Sequence, residues 1–214
     1  MCIRDSFDRG LAPGFFAWFV PTSDGRALVG LLSRRDPGRH LRRLLSTLYL
    51  QGKIACAEVE IAYGGIPLRP LAKTYQQRLV VVGDAAGQVK PTTGGGIYYG
   101  LLCAQVAVDT LHQALCANDF SERLFARYQQ AWRQRIGREL WIGYLARRLY
   151  ERLGNHRIDQ IFNVLESRRI PQALLQSADI SFDWHSRVLL QGLKHLGPWR
   201  HLFDWRKEGD GGKG

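Results

Sequence analysis

Apolar and polar positions divide the chain into segments of two periods. Phe15 to Val20 and Ala27 to Leu32 are short apolar runs separated by Thr22-Ser23-Asp24-Gly25, which predicts a β-hairpin turning on Asp-Gly. Leu41, Leu44, Leu45 and Leu48 recur at helical spacing. With Asp36 as N-cap, Pro37 at the first helical position and Gly52 beyond the end, they predict a helix with one buried face. Lys53 to Tyr63 alternates, with Val59, Ile61 and Tyr63 on one side and Glu58 and Glu60 on the other, which predicts a strand. Glu58 and Glu60 are read as surface residues rather than paired catalytic carboxylates. The turn-rich stretch Gly64 to Pro70 follows.

Leu79 to Val82 is too short for a helix and rich in Val, as suits a strand buried on both faces. Ile97 to Leu115 is apolar nearly all round, which predicts a helix buried inside a domain. Asp119-x-x-Glu122 has the form of a capping box and opens a long helix ending before Gly154, with Gly137 and Gly143 as places where it could bend. Arg157 to Trp205 is expected to form short helices broken at Pro171, Gly197 and Pro198, followed by a frayed tail. Met1 to Ser6 fits nothing downstream and is left out of the fold.

The chemistry gathers between the Leu79 strand and the Ile97 helix, in the order strand, Gly-Asp turn, Pro-Thr-Thr-Gly-Gly-Gly loop, helix. Gly83 lets the backbone turn without a Cβ clash, and Asp84 arrives at the strand end, where open α/β sheets bind ligands. Its carboxylate suits a donor such as a ribose or ribitol hydroxyl. Ala85, Ala86 and Gly87 are small enough for close approach. Pro91 delays the helix, Thr93 is placed to cap it, and Gly94, Gly95 and Gly96 leave its first amides open. Such an end carries about half a positive charge and suits a phosphate or the electron-rich edge of a reduced flavin.

Composition adds constraints rather than a function. The 214 residues can bury a sizeable core, and 30 Lys and Arg against 19 Asp and Glu give a net charge of +11. That charge favours acidic partners: phosphorylated cofactors, anionic lipid or nucleic acid. Arg34, Arg35, Arg39, Arg42 and Arg43 cluster at one helix start, and nine Arg against three Glu lie between Glu122 and Arg157. Cys2, Cys56, Cys103 and Cys116 are scattered and read as reduced, mostly buried thiols. No metal-ligand spacing and no Ser or Cys triad stands out. Without a signal-peptide pattern or a long apolar run, the expected place is the cytoplasm, at most at a membrane surface.

The run GDAAGQVKPTTGGGIYYG, Gly83 to Gly100, resembles the second FAD-binding motif of a flavoprotein group. That group holds aromatic-ring hydroxylases, flavin-dependent halogenases and geranylgeranyl reductases, and the run is most similar to the reductase branch. The resemblance implies that Asp84 binds the FAD ribitol and that the helix start at Gly94 to Gly96 abuts the isoalloxazine. Gly83, Ala85, Ala86, Pro91 and Thr93 complete the implied cofactor contacts, with Tyr98 and Tyr99 close by.

Phe16-Ala17-Trp18-Phe19-Val20-Pro21 is similar to the YxWxFP motif lining the substrate cavity of that family. The motif's Tyr is replaced by Phe16 and its Phe by Val20, so a hydroxyl is lost. Phe16, Trp18 and Pro21 are the cavity residues this resemblance implies, while by period two alone Phe16 and Trp18 read as core.

The resemblance therefore implies an α/β chain, α+β in the part present: the C-terminal part of a Rossmann-like FAD-binding fold, with antiparallel substrate-domain strands and a helical C-terminal region. The implied division is 7–75 as partial substrate domain, 76–118 as the second half of the FAD-binding domain, 119–208 as helical region and 209–214 as tail. The implied activity is FAD-dependent reduction of an isoprenoid C=C bond, with NAD(P)H or ferredoxin as electron donor and no nucleic-acid partner; the general acid is not identified. The family's opening GxGxxG is absent, so the chain reads as a truncated frame that by itself binds FAD weakly and is inactive. The other readings are a flavin monooxygenase or halogenase, and a non-catalytic basic module for anionic lipid or nucleic acid.

Overall fold

The computed structural model describes residues 4–167. Two compact units divide them: residues 4–64 with Leu149 onward, and Gly65–Arg148. This contact division falls at 64/65 and 148/149 rather than at 75/76 and 118/119. The predicted short helices beyond Ser167 and the tail lie outside the described residues.

The first unit begins with a three-stranded antiparallel sheet in the order β1 (Arg4–Ser6), β2 (Ala17–Pro21), β3 (Ala27–Leu31). The pairing of β2 with β3 runs from Ala17 opposite Leu31 to Pro21 opposite Ala27, the hairpin that the Asp-Gly turn predicts. Arg4 to Ser6, set aside on sequence grounds, pairs with Phe19 to Ala17. The correction has a simple cause: backbone groups complete a ladder whatever side chains they carry.

Helix α1 (Pro37–Leu50) buries Leu44, Leu45 and Leu48. With Ala12 and Ala17 the two outer leucines form a core joined by Leu11, Phe19, Val29 and Leu31. The helix ends as predicted, with Gly52 at φ 65° and the Lys53 N–H returning to the Leu48 carbonyl at 2.9 Å. Its start differs from expectation: Asp36 sits at φ 43° and makes no side-chain cap.

The strand predicted over Lys53–Tyr63 does not form. The segment has no regular secondary structure, Glu58 and Glu60 are exposed, and Val59 and Tyr63 are exposed as well. Alternation marks a strand only where another strand supplies hydrogen bonds. Here the Tyr63 hydroxyl instead fills the space beside Gly38. The end of helix α3 (Glu122–Tyr150) and helix α4 (Asn155–Ser167) are tied into this unit. The Tyr150 hydroxyl donates to the Phe15 carbonyl at 2.9 Å, the Asn155 amide donates to Asp8 at 3.0 Å, and Arg34 pairs with Glu151 at 2.7 Å.

The second unit is built on helix α2 (Ile97–Ala117) and the body of α3. Tyr99, Cys103, Val106 and Ala107 of α2 meet Tyr128, Trp132, Ile136 and Leu140 of α3 in one buried cluster. Ser121, not Asp119, caps α3: its hydroxyl accepts from the Leu124 N–H at 3.3 Å, while Asp119 accepts from the Ser121 N–H at 2.9 Å. The helix is continuous through Gly137 and Gly143. The predicted strand at Leu79–Val82 shrinks to β5 (Leu79–Val80), paired among the described residues with β4 (Tyr75–Gln76) alone. Leu79 is 50% exposed rather than buried on both faces. Helix α2 also departs from expectation, since Ile97 and Leu115 are 84% and 68% exposed. Of the thiols, Cys103 is buried, but Cys56 and Cys116 are exposed. No helix among the described residues is long and apolar enough to cross a membrane.

Candidate functional site

The sequence between β5 and α2 folds into a short 3-10 helix, Gly83–Ala86, followed by a glycine-bearing loop. Gly83 at φ 69° and Gly87 at φ 71° bracket it in the left-handed region that favours glycine. The chain doubles back between them: the Gly87 N–H donates to the Asp84 carbonyl at 2.9 Å and the Gln88 N–H to the Gly83 carbonyl at 3.0 Å. Asp84 is thus carried on an exposed, tightly wound turn.

The turn meets the helix start. The Asp84 carboxylate occupies the space that a side chain on Gly96 would need, with Val89 against the same position. Gly96 is the N-cap of α2, so the carboxylate lies at the end where first-turn amides have no intrahelical acceptors. Gly94 at φ 74° donates to the Lys90 carbonyl at 2.8 Å, and the Lys90 N–H returns to the Gly95 carbonyl at 2.9 Å. Thr93 does not cap the helix itself, as its hydroxyl accepts from the Gly95 N–H at 3.3 Å. Pro91 is buried against α3, its Cδ 3.1 Å from where a Gly143 side chain would begin. Gly143 therefore serves close packing rather than a bend.

A buried polar network unread in the sequence holds this turn from behind. Gln88 and Thr74 are fully buried. The Gln88 side-chain oxygen accepts from the Gly83 N–H at 2.8 Å, and its amide donates to the Tyr128 hydroxyl at 3.0 Å. Tyr128 then donates to the Val81 carbonyl at 2.8 Å. Both ends of the turn are thus tied to α3. Burial pushes the Tyr128 hydroxyl up to about 12, partly opposed by the Gln88 hydrogen bond, so it stays a neutral donor at ordinary pH. Thr74 accepts from the Trp132 indole at 2.9 Å, and its N–H donates to Gln129 at 2.8 Å. The available signal was a lone Gln inside the small-residue run Gly83–Val89, and its Tyr128 partner lies 40 residues away.

Of the residues implied by sequence, Gly83, Asp84, Ala85, Ala86, Pro91, Thr93, Gly94, Gly95 and Gly96 fall within one turn, loop and helix start. Ala85 and Gly95 are exposed, whereas Ala86 and Pro91 are buried and act by packing. Tyr99 is buried, while Tyr98, expected away from the surface, is 39% exposed. The arrangement fits a flavin on its own terms: an exposed carboxylate acceptor beside a helix N-terminus, with glycine where a larger residue would block approach.

In the first unit, Phe16 and Trp18 stand on the sheet face opposite buried Phe15 and Ala17. Their ring centroids are 5.9 Å apart, and the indole covers Gly30. Pro21 lies at the end of β2, opposite Ala27. The pocket beside Trp18, lined by Ser6, Phe19, Leu44 and Lys53, measures about 60 Å³. Sites for small organic ligands usually need roughly 300 Å³ or more.

The fold has a counterpart among solved structures. It matches the crystal structure of a geranylgeranyl bacteriochlorophyll reductase-like protein from Thermoplasma acidophilum, with a TM-score of 0.69 over 90% of this chain and 48% of that one, at 20% identity. That is a geranylgeranyl reductase-like flavoprotein fold, here represented by an α+β portion with small antiparallel sheets. No family model matches the sequence.

Named relatives carry the assignment further. Digeranylgeranylglycerophospholipid reductase 2 of Methanothermobacter thermautotrophicus is 32% identical over 169 residues, 76% of this chain and 42% of that protein. Digeranylgeranylglycerophospholipid reductase 1 of Methanopyrus kandleri is 36% identical over 134 residues, 60% of this chain and 36% of that protein. The chain belongs to the geranylgeranyl reductase family, and it spans less than half the length of these curated relatives.

Proposed function

We propose that this chain supplies the ribitol-facing and ring-facing part of the cofactor site in an FAD-dependent reductase of isoprenoid C=C bonds. The observation that carries the reading is the Asp84 carboxylate set against Gly96 at the N-terminus of α2, in a chain related to isoprenoid-lipid reductases. Bound reduced flavin would supply the hydride. Asp84 would accept a hydrogen bond from a ribitol hydroxyl, and the α2 start would offer N–H donors to negative charge on the reduced ring. Gln88 and Tyr128 would hold the turn so that neither group has to be ordered on binding. Phe16, Trp18 and Pro21 would border the apolar substrate. An isoprenoid lipid as substrate, NAD(P)H or ferredoxin as electron donor, a cytoplasmic place and peripheral membrane contact belong to the same reading.

This chain by itself, which spans less than half the length of its curated relatives, is expected to bind flavin weakly and to be inactive. Anaerobic turnover of a polyprenyl lipid with dithionite-reduced protein of full family length tests the reaction. Activity should persist without oxygen and be lost in Asp84→Ala together with the cofactor. A strict oxygen requirement would instead indicate a monooxygenase or halogenase. Purification of the 214-residue chain with stoichiometric yellow FAD would contradict the partial-site reading.

A further inference from the structure

Helix α1 has a solvent face that the flavin reading leaves unused. Arg42 and Arg43 lie three and four residues beyond Arg39, Ser46 lies four and three beyond them, and Leu50 four beyond Ser46, which places the five on one face, and all five are exposed. The opposite face is committed to the core through Leu44, Leu45 and Leu48. The cationic face is therefore held outward by packing.

Three features set this face apart from an ordinary solvated one. First, Arg34 is paired with Glu151, but Arg35, Arg39, Arg42 and Arg43 have no acidic partner among the described residues. Asp36 stands at the helix start, and α1 itself contains no acidic residue. Second, Arg39 lies in the first turn, where the helix dipole disfavours a cation, so helix stability does not account for it. Third, the same helix ends with Leu50 84% exposed and Tyr49 51% exposed, followed by exposed Lys53.

We propose that the Arg39–Leu50 face of α1 is the surface by which this protein lies on an anionic lipid bilayer. Guanidinium groups bind phosphate oxygens in a bidentate fork, and they span about 16 Å of helix with Leu50. The exposed leucine and tyrosine at the far end suit the boundary between headgroups and acyl chains. Nucleic acid offers the same phosphates but no partner for the exposed leucine, so lipid is the better match. Because the leucine stripe is already used by the core, attachment is mainly electrostatic, reversible and weakened by salt. The proposal gives the membrane contact named above a surface, and it requires no bound flavin.

Vesicle co-sedimentation of the purified 214-residue chain tests it. The chain should pellet with phosphatidylcholine vesicles containing phosphatidylglycerol, remain in solution with phosphatidylcholine alone, and dissociate as salt rises. Removing all three charges in R39Q/R42Q/R43Q should weaken binding on the order of a hundredfold, about fivefold for each charge, with an unchanged circular dichroism spectrum. R127Q/R135Q/R138Q, which removes as much charge from exposed positions on α3, should bind nearly as the parent does. Leu50→Ser should shift half-dissociation to lower salt. Equal losses in the two triple variants would reduce the effect to net charge and overturn the proposal. So would retention of binding in R39Q/R42Q/R43Q, or a preference for duplex DNA over vesicles in direct competition. Flavin affinity of full-length protein should be the same in the α1 variants, so neither proposal depends on the other's outcome.

Discussion

Helices α2 and α3 reverse what their compositions suggest. Helix α2 has a single formally charged side chain, Asp109, and reads as buried on every side, yet Ile97, Leu101, Val108 and Leu115 are exposed. Helix α3 carries seven Arg and two Glu, yet it supplies Phe125, Tyr128, Trp132 and Ile136, each at most 1% exposed. A helix buries only the stripe that a neighbour covers, so burial is a property of the pair. The basic helix is central because its aromatic residues satisfy their polar atoms inside: the Trp132 indole on Thr74, the Tyr128 hydroxyl between Gln88 and Val81.

That contrast can be broken or sharpened experimentally. The largest effect should come from Trp132→Ala, which empties the centre of the cluster and leaves Thr74 without its donor. A loss of about 3–5 kcal/mol in denaturant unfolding is expected, and a loss below about 1 kcal/mol would remove α3 from its central role. Tyr128→Phe keeps the ring but strands Gln88 and the Val81 carbonyl, at a cost of about 1–3 kcal/mol. The same hydroxyl gives a pH signature. Its pKa rises from 10.0 to about 12 on folding, so its stabilising effect is complete below pH 10 and is lost as pH rises through about 12. The Cys103 thiol, lifted by burial from 9.0 to about 12, acts in the same direction. Thermal melts should therefore fall across this range, less steeply in Tyr128→Phe.

Gly96→Ala probes the edge of α2 where composition gives no warning. The added methyl must displace the Asp84 carboxylate, and flavin affinity in full-length protein should fall about tenfold, equivalent to about 1.4 kcal/mol. Unchanged affinity would detach Asp84 and Gly96 from any shared site. The smallest effect should come from Leu115→Ser on α2, within about 0.5 kcal/mol despite the apolar residue lost. A large destabilisation there would show that the exposed stripe is covered in solution.

Local signals in the sequence were legible wherever one short segment decides the outcome. The Asp-Gly hairpin, the leucine face of α1 and its Gly52 terminus could be read because turn chemistry and side-chain periodicity act over a few residues. The Gly83–Gly96 stretch could likewise be read as a turn, a loop and a helix start, since glycine placement and helix polarity are local properties. The segment at 53–63 and the strand at 79–82 went differently, because a ladder requires a partner that alternation does not name.

Sequence alone thus determined that a Gly-Asp turn would be followed by a glycine-opened helix start. Only the tertiary structure decided that Gly96 makes room for Asp84, that Pro91 packs on Gly143, and that Gln88 and Tyr128 fasten the turn. The reason is distance along the chain: Gln88 and Tyr128 are 40 residues apart, and a buried polar atom finds its partner only when folding brings it there.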